Sequence, residues 1–265
     1  MHCKTRDQKN IFFEVTGNLA SKKTLLFLNG LSQSTISWGL VTPHFKDDYK
    51  IVLMDFIFQG QSEKEGEVRD FDTHAQDVLS VLDCLEINSV ILVGLSYGSL
   101  VGQHFSLLFP ERISKLILLS TFAHKTPYYE AIENSWSRAL ETGGYSLMLD
   151  VMLPFVLSDS YFDNPLIPIE VLKQTRKDVV EAKALQKLMA ATAARKDYRE
   201  ELQKITCPTL VIHGALDTLF PLYMGKAVAE AIPGSTFIAV QNAGHTLNIE
   251  AVPIVCSHIH TFANS

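Results

Sequence analysis

The stretch "SVILVGLSYGSL", residues 89–100, decides how the rest of the chain is read. An unbroken apolar run, Val90 to Val93, ends at Gly94, and Ser96 stands between Gly94 and Gly98. A strand that turns at once into a helix leaves no room for side chains two positions to either side of the turning residue. Gly94 and Gly98 remove those side chains, so the stretch fits the strand–turn–helix known as a nucleophile elbow, with Ser96 lifted above the strand end. The same turn puts the N–H of Tyr97 at a helix start, where it can stabilise a developing oxyanion. A serine that merely caps a helix has the same letters. The strand before it and the helix after it separate the two readings.

Outward from this point, short apolar runs alternate with segments of helical period. The runs "IFFEV" (11–15), "TLLFL" (24–28), "IVLMDF" (51–56), "SVILVG" (89–94), "KLILLS" (115–120), "TLVIHG" (209–214) and "STFIAV" (235–240) read as strands. Several are apolar on both faces, which suits a sheet covered on each side. Helices are expected over 70–86, from Tyr97 to Phe109 with a stop before Pro110, after Pro221, and from about Pro253 onward. The alternation predicts an α/β fold with a mostly parallel central sheet flanked by helices. The segment 122–204 offers no strand and ends in a strongly helix-forming run, so it reads as a helical insertion. The core is then 1–121 together with 205–265.

Length and composition agree with a globular protein: 265 residues, 47% of them hydrophobic, bury a substantial core. A net charge of −6 without a basic run argues against nucleic acid or an anionic membrane as partner. A small molecule is the better expectation, and oligomeric state is not readable. The cysteines, Cys3, Cys84, Cys207 and Cys256, are widely spaced, without metal-ligand spacing, and read as buried or incidental thiols. "MHCKTRDQKN" does not resemble a signal peptide, and no segment reaches the length of a membrane span. A cytoplasmic location is the expectation.

A serine nucleophile needs a base, and the base an acid to orient it. Of nine histidines, His245 in "QNAGHTLNIE" lies directly after the last expected strand, at the kind of strand end where α/β ligand sites form. The others read as surface or packing residues, His213 included. The acid should share that sheet edge. Asp217 in "TLVIHGALDTLFP" stands three residues past the strand-ending Gly214, whereas "LLSTFAHK" offers no carboxylate. A loop aspartate is more often a cap or turn former, so the assignment rests on the order Ser96, Asp217, His245.

Taken together, "FFEVTG", "LLFLNG", "DFIFQGQS", "GLSYG", "ALDTLFP" and "NAGHTLNIE" resemble, in order and over nearly the whole chain, the α/β-hydrolases of the esterase, lactonase and C–C hydrolase type. The resemblance implies that 122–204 is a cap over the site and that the loop "LNGLSQS" supplies a second oxyanion N–H, from Leu31, beside that of Tyr97. Two residues depart from the family pattern there: Asn29 replaces a histidine, and Phe58 stands where "DFIFQGQS" should carry its first glycine. Ser99, where another glycine often follows, is a smaller change. Asn29, Ser32, Phe58, Phe122, Met148, Met152, Phe155 and Leu219 are candidates for substrate contact, with Ser34, Tyr128, Tyr129 and Trp136 ambiguous. For each, packing or loop bonding is the competing role.

The implied activity is hydrolysis of a small carboxylic ester or lactone with an apolar portion, through an acyl-enzyme, with no metal or organic cofactor. A C–C hydrolase or cofactor-free haloperoxidase-like enzyme using the same triad, and a ligand-binding or signalling protein on the same fold, stay open as alternatives.

Overall fold

The computed structural model describes residues 1–177 and 180–265, leaving aside the side chains of 175–177. The expectation of helix across 178–179 therefore lies outside the described residues. Eight strands build one sheet: β1 (His2–Lys4), β2 (Asn10–Gly17), β3 (Thr24–Leu28), β4 (Lys50–Met54), β5 (Val90–Leu95), β6 (Ile113–Leu119), β7 (Thr209–Gly214) and β8 (Thr236–Val240). Their spatial order is β1-β2-β4-β3-β5-β6-β7-β8. From β4 to β8 every neighbouring pair is parallel, while β2 runs antiparallel to β4 and β1 to β2.

Strand periodicity divides the core between the two faces of the sheet. Leu26, Leu28, Leu92, Leu116 and Leu118 pack on one face, and Leu25, Phe27, Ile91, Val93, Ile117 and Leu119 on the other. Alternate residues of a strand point to opposite faces, so runs that are apolar throughout need both faces covered. Helices supply that cover. On the first face lie α1 (Phe71–Cys84), whose Asp70 cap accepts from the Thr73 N–H at 2.8 Å, and α2 (Tyr97–Leu108), which ends just before Pro110.

Between β6 and β7 the chain forms only helices among the described residues: α3 (Pro127–Val156), α4 (Asp159–Asp163), α5 (Ile169–Lys177), α6 (Ala182–Ala194) and α7 (Arg199–Leu202). The first of these is broken at Gly144, whose φ of 69° and ψ of −166° are not helical. The chain then adds α8 (Leu222–Ala231), α9 (Leu247–Glu250) and α10 (Val252–Asn264). Val255 and Ile259 of α10 cover the second face, beside Trp38 and Phe45. No helix among the described residues is long and apolar enough to cross a membrane.

One strand was not expected. β1 is "HCK", polar and largely exposed at the sheet edge, and its backbone pairing with β2 is what makes it a strand. It also sets Cys3 beside Cys84, so these two thiols are not isolated. Burial, with Cys84 as neighbour, pushes the Cys3 thiol up to about 12.

Because β3, β5, β7 and β8 are parallel, their C-terminal ends open on one edge of the sheet. The loops that follow them contain Asn29–Leu31, Ser96, Asp217 and His245. In an open α/β sheet this is the edge at which ligands bind.

Candidate active site

Ser96 is the single residue between β5 and α2, with φ 51° and ψ −113°. A non-glycine residue in that region is strained by about 1–3 kcal/mol, and the surroundings hold it there. Its N–H donates to Leu119 O at 2.9 Å, while its carbonyl already accepts helical bonds from the N–H groups of Ser99 and Leu100. A Cβ on Gly94 would come within 2.4 Å of Gly98 O, and one on Gly98 within 2.3 Å of Leu28 O. Those obstacles are backbone and have little freedom to yield, which is the physical content of the two glycines in "GLSYG".

Asp217 is buried in the loop after β7. One carboxylate oxygen accepts the Phe220 N–H at 2.8 Å, and the other lies 2.8 Å from Nδ1 of His245 and 3.3 Å from Nε2 of His213. Burial alone would raise its pKa. The charge of His245 and the hydrogen bonds of His213 and His245 outweigh burial and lower the carboxyl to about 2. An ionised Asp217 only accepts, so Nδ1 of His245 bears the proton and Nε2 is left as the basic nitrogen.

The backbone of His245 is fixed as well: Ser120 Oγ donates to its carbonyl at 2.7 Å, and the Phe220 ring packs edge-on at 5.0 Å. A Cβ on Gly214 would meet Gly244 O at 2.0 Å, so the end of β7 and the histidine loop approach closely because of that glycine.

His213, read from the sequence as a packing residue, also belongs to the site. It is fully buried, and its Nε2 donates to Phe220 O at 2.7 Å while facing Asp217. A strand-ending histidine four residues before a loop aspartate was the available signal. Gly225 makes room for the ring, since a Cβ there would sit 2.2 Å from Nδ1.

Ser96 and His245 border one cavity of about 50 Å³, without a direct hydrogen bond between their side chains. Leu31 and Tyr97 line it too, and their backbone N–H groups have no partner among the described residues. Of the expected contact residues, Ser32, Phe122, Met152 and Leu219 reach this cavity.

Asn29, Phe58, Met148 and Phe155 do not reach it. Asn29 is fully buried and turned away, its Nδ2 donating to Met54 O at 2.8 Å and its Oδ1 accepting from Trp38 Nε1 at 2.9 Å. It anchors the loop from below, and Gln59 Nε2 completes the anchor by donating to Gly30 O and Leu31 O at 2.8 and 2.9 Å. Phe58 takes φ 81° and is buried in core, with the ammonium of Lys187 4.8 Å from its ring centre. It ties the loop after β4 to α6. Met148 is fully buried core, although it shares a helix face with Met152 four residues on. Phe155 packs against the core, and its carbonyl accepts from Thr218 Oγ1 at 3.3 Å.

Tyr129 and Trp136, ambiguous in the sequence, line the cavity, while Tyr128 is exposed. They are seven residues apart on α3, two turns along one face, so a helical reading of 127–136 would have paired them. Phe220 and Thr192 line it without having been singled out. Ser34 lies in a neighbouring groove.

A family model described as the alpha/beta hydrolase fold matches residues 23–142 and 173–252. The 3-oxoadipate enol-lactonase 2 of Acinetobacter baylyi is 28% identical, over 87% of this chain and 85% of its own. Karrikin insensitive 2 receptor IA of Petunia hybrida is 25% identical, over 95% of each chain. Among solved structures, a thermophilic esterase from Thermogutta terrifontis superposes with a TM-score of 0.90 at 23% identity, over 100% of this chain and 98% of that one, a likeness in fold.

Proposed function

The chain belongs to the α/β-hydrolase fold family, and from that premise we propose that it is a serine hydrolase cleaving a small carboxylic ester or lactone through an acyl-enzyme on Ser96. The observation that carries this reading is the 2.8 Å contact between His245 Nδ1 and Asp217 Oδ2, beside a cavity that Ser96 also lines.

In this mechanism Nε2 of His245 takes the proton of Ser96 Oγ as the oxygen attacks the carbonyl carbon. Asp217 holds the imidazole in the right tautomer and stabilises the imidazolium. The N–H groups of Leu31 and Tyr97 receive the oxyanion, and each such donor typically contributes about 3 kcal/mol at the transition state. The tetrahedral intermediate expels the alcohol, which leaves with the proton from His245. Water, activated by the same histidine, then releases the acid. Segment 122–204 acts as a cap in this reading, since Phe122, Tyr129, Trp136, Met152 and Thr192 close the cavity from that side.

A second reading is favoured by one finding, the receptor among the relatives: a ligand-binding protein whose triad turns over slowly. One experiment addresses both. Wild type and Ser96→Ala are compared for p-nitrophenyl acetate hydrolysis and for labelling by a fluorophosphonate. Turnover and labelling lost together in the variant support the hydrolase. Labelling of Ser96 without appreciable turnover supports the receptor reading, and labelling that survives the substitution refutes the nucleophile.

A further inference from the structure

The cavity at Ser96, about 50 Å³, is small. An apolar cavity of roughly 150 Å³ is what accommodates a benzene molecule. A ring or long chain therefore does not fit beside Ser96, whereas an acetyl-sized group does. Immediately adjoining is a groove of about 310 Å³, which shares Ser32 and Gln33 with the cavity. Ile36, Leu40, Ile167 and Ile249 give it apolar walls. Ile36 is 73% exposed and Leu40 36%, so both offer apolar surface at the rim of the groove.

Proton delivery decides which half of a substrate lies there. The leaving oxygen takes its proton from His245, so the leaving group must pass that residue. The groove wall at Asn248 and Ile249 belongs to α9, which starts two residues after His245. Ser32 to Leu40, which also line the groove, continue from Leu31, whose N–H faces the oxyanion in the reading above, and Asn248 Nδ2 donates to Ser37 O at 2.8 Å, so this stretch and α9 form one wall. The substituent running along this wall, past His245, is the alcohol, and the acyl substituent stays in the small cavity.

Resting on the serine-hydrolase reading, we propose that this groove is the leaving-group subsite and that the substrates are esters of a small acyl group with a large apolar alcohol. Ser96 Oγ bonds to the carbonyl carbon, the bond from that carbon to the alcohol oxygen breaks, and the alcohol departs protonated through the groove. Water then cleaves the small acyl group from Ser96 as the acid.

Two isomeric alkyl esters of similar intrinsic reactivity test this: 2-phenylethyl acetate and methyl 3-phenylpropanoate. A kcat/KM at least about tenfold higher for the acetate is expected, the scale on which pockets discriminate between apolar groups. Equal or reversed preference overturns the proposal. Ile36→Asp should shrink the preference for 2-phenylethyl acetate over methyl acetate by about tenfold, and an unchanged ratio counts against the groove. Calorimetric binding of 2-phenylethanol, weakened at least fivefold by Ile36→Asp, is the readout that needs no turnover, and equal binding overturns the subsite. Fluorophosphonate labelling reports on the premise separately. Labelled Ser96 with reversed ester preference removes the groove alone, and absent labelling removes the serine mechanism.

Discussion

Nε2 of His213 lies 3.3 Å from Oδ2 of Asp217, the same oxygen that Nδ1 of His245 reaches at 2.8 Å. One carboxylate oxygen thus faces two histidines, and the other is taken by the Phe220 N–H. An aspartate held this way has one orientation, and so has the imidazole that depends on it.

Asp217→Asn keeps the shape and removes the charge. The amide can no longer hold His245 with its proton on Nδ1, so kcat on p-nitrophenyl acetate should fall by about 10³ to 10⁴. The fold should survive, as read by far-ultraviolet circular dichroism. An unchanged kcat would move the acid role to another residue.

The elbow glycines allow a sharper stability test. Gly98→Ala drives a methyl group into the Leu28 carbonyl at 2.3 Å, which neither backbone can relieve cheaply. Gly234 has φ 70° but nothing within 4 Å of its would-be Cβ. Gly234→Ala should therefore cost only the left-handed backbone penalty, about 1 kcal/mol. Gly98→Ala should cost at least about 3 kcal/mol or prevent folding, as befits overpacking against a rigid neighbour. Urea midpoints compare the two, and equal losses would refute the steric account.

These contrasts show what the sequence could reveal. The central strands were legible because runs such as "TLLFL" are buried on both faces, and "GLSYG" because steric crowding at the elbow permits only glycine at its flanks. β1 was illegible because nothing apolar marks "HCK"; its partner strand makes it a strand. The direction of a side chain was equally hidden. Asn29 belongs to the loop that carries Leu31, yet it points into the protein toward Trp38. Met148 and Met152 share a helix face, and only the latter reaches the cavity. Periodicity identifies a face but not how far along it a pocket extends.

A buried chain of hydrogen bonds runs behind the nucleophile. Arg195 donates to Gln103 Oε1 at 2.7 Å and to Ala123 O at 3.1 Å, Gln103 Nε2 donates to Thr121 Oγ1 at 2.8 Å, and Thr121 Oγ1 lies 2.8 Å from Ser99 Oγ. Ser99 Oγ also reaches the carbonyl of Ser96. No carboxylate pairs with Arg195 among the described residues; Phe71, Phe122 and Tyr198 surround it with rings. Arg195→Met leaves Gln103 Oε1 buried and unpaired, at about 1–3 kcal/mol. Once Gln103 is leucine, that oxygen is gone. The double mutant Arg195→Met with Gln103→Leu should therefore cost about 1–3 kcal/mol less than the two single losses added, by urea unfolding. Strict additivity would mean the two side chains do not share an interaction.

Stability should also depend on pH through His104. Its ring stacks on Tyr198 at 4.1 Å, and Nδ1 lies 2.6 Å from Asp72 Oδ1. Burial is the largest influence and disfavours the imidazolium; Asp72 and Asp70 favour it, Arg195 opposes it, and the result is a pKa lowered from 6.5 to about 4. The unfolded chain thus binds a proton that the folded protein refuses. This contribution to stability is intact above pH 6.5, declines as the pH falls toward 4, and is lost below that. At pH 4.5 the loss relative to pH 7 should be about 2 kcal/mol from this residue alone. Other carboxylates titrate in the same range, so the comparison is with His104→Gln, which cannot gain a proton. Urea unfolding at pH 7 and 4.5 should show the wild type losing about 2 kcal/mol more than the variant. Parallel losses would mean that the Asp72 contact holds His104 charged in the folded protein, with attraction stronger than burial.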